Sequence, residues 1–226
     1  MRCYQENWQR YITTNILDIN IDNSYHNNAL REEVRIFRYL KSEYIIQFIN
    51  VIESQANIYM VMEYADGGTL HSILANRKEI DEKTVINYLM QIVAGMGVLF
   101  KNGIIHRDLK PLNILVSGGK LKISDFGYAR FSSPSQKFKT KVGTEVYMAP
   151  QILKHDPYTN KCDIWSLGVI AYQMITGKLP WKIEKAGLGS HLAMVKKIVT
   201  DGLSFPEDCP VSKNLESFIK QCLVYE

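Results

Sequence analysis

The stretch His106-Arg107-Asp108-Leu109-Lys110-Pro111-Leu112-Asn113, followed by Asp125-Phe126-Gly127, constrains this chain more than any other feature. Two acidic anchors, an amide and an ammonium fall in a fixed order within one short region. A lone His-Arg-Asp would more often mark a surface turn. The joint pattern marks a site of polar chemistry. Between the two groups lie Ile114-Leu115-Val116 and Leu121-Lys122-Ile123, two short strands around the turn Ser117-Gly118-Gly119.

The rest of the chain supplies a body for that region. A length of 226 residues fits one large domain or two small lobes. Residues 28–41 place Leu30, Val34, Phe37 and Leu40 at helical spacing. Ile45 to Ile52 and Ile58 to Met62 are apolar, β-branched runs that read as strands, and Asp66-Gly67-Gly68 breaks the second. Asp81 to Asn102 reads as the best helix, with Asp81 as N-cap and Val85, Leu89, Ile92, Val93, Met96 and Phe100 as its apolar stripe. Asn102-Gly103 is a stop signal. Arg130 to Val142 is polar and basic and reads as an exposed loop. Lys161 to Thr176 is apolar nearly all round, as a buried helix is. Ala193 to Val199 and Leu215 to Leu223 read as two further amphipathic helices.

Composition narrows the partners. A net charge of +4 is too small to argue for nucleic acid or a membrane surface. The longest apolar stretch, Ile164 to Ile175, is shorter than the roughly 20 residues that span a bilayer. The start of the chain is polar, unlike a signal peptide. Cys3, Cys162, Cys209 and Cys222 form no Cys-x-x-Cys pair, which points to free thiols in a reducing, cytoplasmic setting. His26, His71, His155 and His191 have no partners at metal-ligand spacing.

Taken together, the motifs resemble the eukaryotic protein kinase family, of serine/threonine type, over roughly Glu33 to the C-terminus. DFGYAR and YMAPQIL are similar to the unc-51-like or calmodulin-kinase-like branch. The resemblance implies an α+β bilobal fold, with a truncated small β-sheet lobe over residues 1–64 (strand, helix, two strands). A large, mainly helical lobe over 65–226 would lack its last helices. It implies ATP and magnesium as cofactors and protein hydroxyls as substrates, with room for a regulatory partner. By the same likeness Asp108 is the group that accepts the substrate proton, Lys110 neutralises the transferred phosphate, and Asn113 and Asp125 are the magnesium ligands. Met62 stands at the back of the adenine pocket, the backbone of Glu63 and Ala65 faces the adenine edge, and Leu115 forms the floor. His106 and Phe126 belong to a packed stack between the lobes. Thr144 is the substrate-facing threonine. Thr140 sits where many kinases are phosphorylated, with Arg107 and Arg130 placed to pair with the phosphate. Asp163 braces the catalytic loop.

The pattern also fails in places. The first glycine is Gly67 and the first lysine Lys41, so neither a glycine-rich loop nor a strand lysine precedes the hinge. Family spacing from Glu33, which matches the helix glutamate that pairs with that lysine, lands near Thr14. The run Tyr11 to Ile16 is β-compatible and would be the third strand, with threonine for lysine and Arg10 as the nearest cation. Gln151 stands where the family carries glutamate, and some apolar surface near Phe218 and Leu223 would be left uncovered. An active kinase, a pseudokinase acting as a binding or scaffold module, and an incomplete gene model all remain open on these residues.

Overall fold

A computed structural model describes residues 11–18, 24–53, 57–76, 80–133, 135–181, 197 and 202–224. In chain order the first elements are β1 (Tyr11–Asp18), α1 (Ser24–Tyr39), β2 (Phe48–Glu53) and β3 (Asn57–Glu63). The sheet order is β1-β3-β2, both pairs antiparallel, with Thr14 opposite Val61. The run around Thr14 is thus a strand paired to the one that leads into Glu63. Arg10 lies outside the described residues.

α1 begins earlier than its periodic stripe suggests. Ile36, Phe37 and Leu40 are buried on one face, and Glu33 is buried on that same face one turn earlier. The strand expected from Ile45 begins only at Phe48. Ile45 and Ile46 are buried elsewhere: Ile46 N–H donates to the Ile123 carbonyl at 2.9 Å, and Ile123 N–H returns a bond to Tyr44 at 2.9 Å. One apolar run therefore serves two sheets, its first half docking on the hairpin and its second half on β3.

The remaining elements are α2 (Leu70–Asn76), α3 (Glu82–Lys101), β4 (Ile104–Ile105), β5 (Ile114–Ser117), β6 (Lys120–Ile123), β7 (Arg130–Phe131), α4 (Pro150–Leu153), α5 (Lys161–Thr176) and α6 (Lys213–Cys222). β5 and β6 form the expected hairpin, closed by Gly118 and Gly119 at φ 56° and 77°. Asp81 caps α3 by accepting from Thr84 N–H at 3.0 Å. The buried face of α3 is Val85, Leu89, Ile92, Gly95 and Leu99, which corrects the expected stripe. Val93 and Phe100 are exposed, Phe100 by 67%. Gly95 explains the rotation: a Cβ there would lie 2.9 Å from both the Ile123 side chain and the Tyr44 carbonyl, so the bare backbone lets the hairpin approach on that side. By length and composition alone α3 is long and apolar enough to cross a membrane; here one of its faces packs against β6 and α5.

α5 is buried along nearly its whole length, as its composition requires. Trp165 stacks on Trp181 at 5.5 Å between centroids. α6 seats its C-terminal end on Gly168 of α5, where a Cβ would meet Cys222 and Leu223 at under 3 Å. Leu223 is buried as a result and Phe218 is half-buried against the core, while Val224 beside them is exposed, so some apolar surface is left uncovered there. The expected helix at 193–199 lies outside the described residues except at Lys197.

Candidate active site

The site is built on Asp163, at the start of α5. Its carboxylate accepts the backbone N–H of His106 at 2.8 Å and of Arg107 at 2.9 Å. Burial pushes this carboxyl up, while the His106 ring and the two N–H donors pull it down. These bonds hold Arg107 at φ 69°, a conformation that costs a side-chain-bearing residue about 1–2 kcal/mol. The twist turns Asp108 toward the segment that follows β7.

Asp108 is the centre of the arrangement and is itself buried. Its Oδ1 accepts Thr144 N–H at 2.8 Å and Thr144 Oγ1–H at 2.9 Å. Its Oδ2 accepts Lys110 Nζ at 2.7 Å and Asn113 Nδ2 at 3.1 Å. Lys110 Nζ also reaches Thr144 Oγ1 at 2.8 Å. The fold therefore gathers Asp108, Lys110, Asn113 and Thr144, four of the residues singled out in the sequence. Asn113 Nδ2 donates also to the Asp108 carbonyl at 2.9 Å. That leaves the amide oxygen as the atom free for a cation.

Asp125 follows the hairpin at φ 61° and is exposed. Ser124 ties it to the catalytic loop, since Ser124 N–H and Oγ–H both donate to the Asn113 carbonyl, at 2.9 and 3.0 Å. His106 Nε2 meets the Ser124 carbonyl at 3.1 Å. Phe126 is fully buried between His106 and Phe37, with centroids 5.3 and 4.7 Å away. Phe37 thus completes the stack from the α1 side. Its place in the helical stripe showed that it was buried, not what it would touch.

The hinge is fixed by contacts invisible in the sequence. Glu63 N–H donates to the Gln47 carbonyl at 2.9 Å, and Glu63 closes the register of β3 opposite Tyr11 of β1. The Glu63 side chain accepts from Gln47 N–H at 3.0 Å and pairs with Lys122 of β6 at 2.5 Å. Beyond Ala65, Gly67 N–H bonds the Val116 carbonyl and Val116 N–H the Gly68 carbonyl, each at 2.9 Å. These bonds strap the hinge to β5, the strand that carries half-buried Leu115. Met62 is buried at the end of β3.

Each of the arginines expected to meet a phosphate gives one donor to a nearby backbone carbonyl. Arg107 Nε donates to the Tyr128 carbonyl at 2.7 Å, and Arg130 Nη1 to the Ala129 carbonyl at 2.6 Å. Thr140 is exposed, and its carbonyl accepts Tyr158 O–H at 2.7 Å.

Glu33 is the odd member. Its carboxyl is buried, accepts from Phe126 N–H and faces Asp125, with Arg130 the cation that acts on it. Burial first, and then Asp125, push it up to about 7. The native state then holds a proton that the unfolded chain has lost. This contribution is whole below pH 4.5 and disappears as pH rises to about 7. In metal-free buffer Glu33→Gln is expected to raise stability by about 2 kcal/mol at pH 8 and to change it little at pH 4. Urea melts at the two pH values measure this; equal shifts at both would refute it.

The protein kinase domain model matches residues 1–226. The chain belongs to the protein kinase family. It is 38% identical over 186 residues to serine/threonine-protein kinase ATG1b of Arabidopsis thaliana, covering 80% of this chain and 26% of that protein. It is 39% identical over 163 residues to serine/threonine-protein kinase ULK1 of Homo sapiens, covering 68% of this chain and 16% of that protein. A probable myosin light chain kinase of Dictyostelium discoideum is 34% identical over 205 residues, 88% of this chain and 57% of its own length. The chain thus spans less than two thirds of each relative. Both branches that the sequence resembles are represented among these kinase relatives.

Proposed function

We propose that the chain transfers the γ-phosphate of ATP to serine or threonine hydroxyls of protein substrates. The observation that carries the reading is Asp108, whose two oxygens are divided between Thr144 on one side and Lys110 with Asn113 on the other. A substrate hydroxyl arriving beside Thr144 would meet the carboxylate that takes its proton as the oxygen bonds to the γ-phosphorus. The bond to the bridging oxygen breaks and ADP leaves. Lys110 sits within reach of the same atoms and would offset charge on the transferred group.

The donors present fit magnesium. The Asn113 amide oxygen and the exposed Asp125 carboxylate are hard oxygen ligands, and magnesium takes few such groups from protein and the rest from phosphates and water. Bound there with ATP, it would supply charge neutralisation at the phosphates. Met62, Ala65, Leu115 and the Glu63 carbonyl would hold the adenine. Supporting the reading, the relatives' names describe serine/threonine kinases. We place the protein in the cytoplasm, with protein substrates.

Glu33 favours a second reading. With Thr14 on the strand where a lysine is expected, the grip on the α- and β-phosphates lacks its ammonium, as in a nucleotide-binding or scaffold module. Two measurements on the wild-type chain separate the readings: radiolabel transfer from γ-labelled ATP to a basic protein, with magnesium and with EDTA, and thermal melting with ATP and magnesium. Magnesium-dependent transfer is expected. Stabilisation by nucleotide without transfer supports the binding module, and absence of both overturns the enzyme.

A further inference from the structure

Besides the bonds of Thr144 to Asp108 and Lys110, the catalytic loop meets the segment carrying Thr140 at a second side chain, Arg107. It is buried, and its guanidinium carbon lies 5.2 Å from the centre of the Phe138 ring. Phe138 is held there by its backbone, which exchanges two hydrogen bonds with Tyr158, both 2.9 Å. The Phe138 and Tyr158 rings lie 5.9 Å apart. Tyr158 O–H is bonded to the Thr140 carbonyl at 2.7 Å and lies 3.5 Å from Arg107 Nη1. Three residues beyond Thr140, Gly143 passes so close to the Arg107 carbonyl that a Cβ would lie 2.4 Å from it, and its φ is 107°. The next residue is Thr144, on Asp108.

The guanidinium thus has its face covered by an aromatic ring and its Nε used by Tyr128, in a setting largely closed to water. A desolvated cation over a ring is held more firmly than an exposed one. We propose that Phe138 is a positioning residue. Its ring on Arg107 fixes the segment to the catalytic loop and sets Thr144 against Asp108 with no phosphate on Thr140. The Thr140 hydroxyl plays no part in the lock, because the lock uses its carbonyl. The meaning of the lock for phosphoryl transfer rests on the kinase reading above; the lock itself does not.

The segment carries its own reporter. Lys137, Lys139 and Lys141 are three trypsin sites within it, and Lys137 and Lys139 are exposed. Limited trypsin digestion of phosphatase-treated full chain, with cuts assigned by mass spectrometry, reads the fraction of time the segment is open. Wild type and Thr140→Ala are expected to be cut slowly and equally. Phe138→Ala and Phe138→Leu are expected to be cut about tenfold faster at these lysines, with cuts elsewhere unchanged. Phe138→Tyr, which keeps the ring face, restores protection. A Leu variant as protected as wild type would overturn the ring–cation lock, as would a Thr140→Ala variant cut as fast as Phe138→Ala. If the Ala variant does not fold, the Leu and Tyr pair decides alone. Cleavage is read without nucleotide, so a chain that transfers no phosphate still gives the answer. In an active chain, Phe138→Leu is expected to lower kcat more than it raises KM for ATP.

Discussion

Asp108→Asn is expected to lower the rate of phosphoryl transfer by about 10² to 10⁴ and to weaken the fold by about 1–3 kcal/mol. Asparagine has one oxygen. Placed where Oδ1 now lies, it keeps both bonds from Thr144. The amide nitrogen must then sit where Oδ2 accepts Lys110 at 2.7 Å and Asn113 at 3.1 Å. Three donors would face one another in a buried place, and Lys110 would lose its ion pair. The alternative rotamer gives Lys110 its acceptor and breaks the Thr144 side instead. Either way the base is gone and the segment is detached or strained. Single-turnover transfer reads the first loss and thermal melting the second. A variant that melts like wild type would mean that the carboxylate is not shared as described. One that transfers phosphate at the wild-type rate would remove Asp108 as the base.

How much of this was legible in the sequence follows from the range of the interactions. His106 to Asn113 could be read because the motif that carries the family resemblance lies within one short stretch of chain. Asp81, the hairpin glycines and the apolar girth of α5 are likewise short-range signals. Lys122 and Glu63 could not, since the two lie far apart in sequence and each reads alone as an ordinary strand charge. Phe37 was legible as buried, but its partner Phe126 comes from a loop whose path only the fold supplies. The α3 stripe failed on a smaller point. Periodicity fixes a stripe to within one neighbouring residue, and Gly95, invisible to an apolar count, decided which side turned inward. The Arg107 lock was hidden because Phe138 lies in a basic run that reads as solvated loop, and its one apolar residue gave no period to detect.

Asp163→Ala is expected to destabilise the chain by about 3–5 kcal/mol, a buried-network loss rather than a surface one. Its carboxylate is the acceptor for two successive buried N–H groups, at His106 and Arg107. Each donor left unpaired costs about 1–3 kcal/mol. The α5 helix itself should survive, because Asp163 lies in its first turn and alanine is the better helix former. The loss therefore falls on the loop. Without the two bonds Arg107 loses its two main-chain anchors to α5 and is freer to relax from φ 69°. That rotation would carry Asp108 away from Thr144 and slide the guanidinium from under Phe138. Asp163→Asn keeps one acceptor and is expected to recover about half of the lost stability. It should recover less of the transfer rate, because one bond restrains a single peptide and leaves the turn between His106 and Arg107 free. Urea melts check the stability order, with unchanged m-values as the sign that the native fold persists. Equal midpoints for Asp163→Ala and wild type would show that the two N–H groups find other partners, and that Arg107 holds its backbone conformation without this carboxylate.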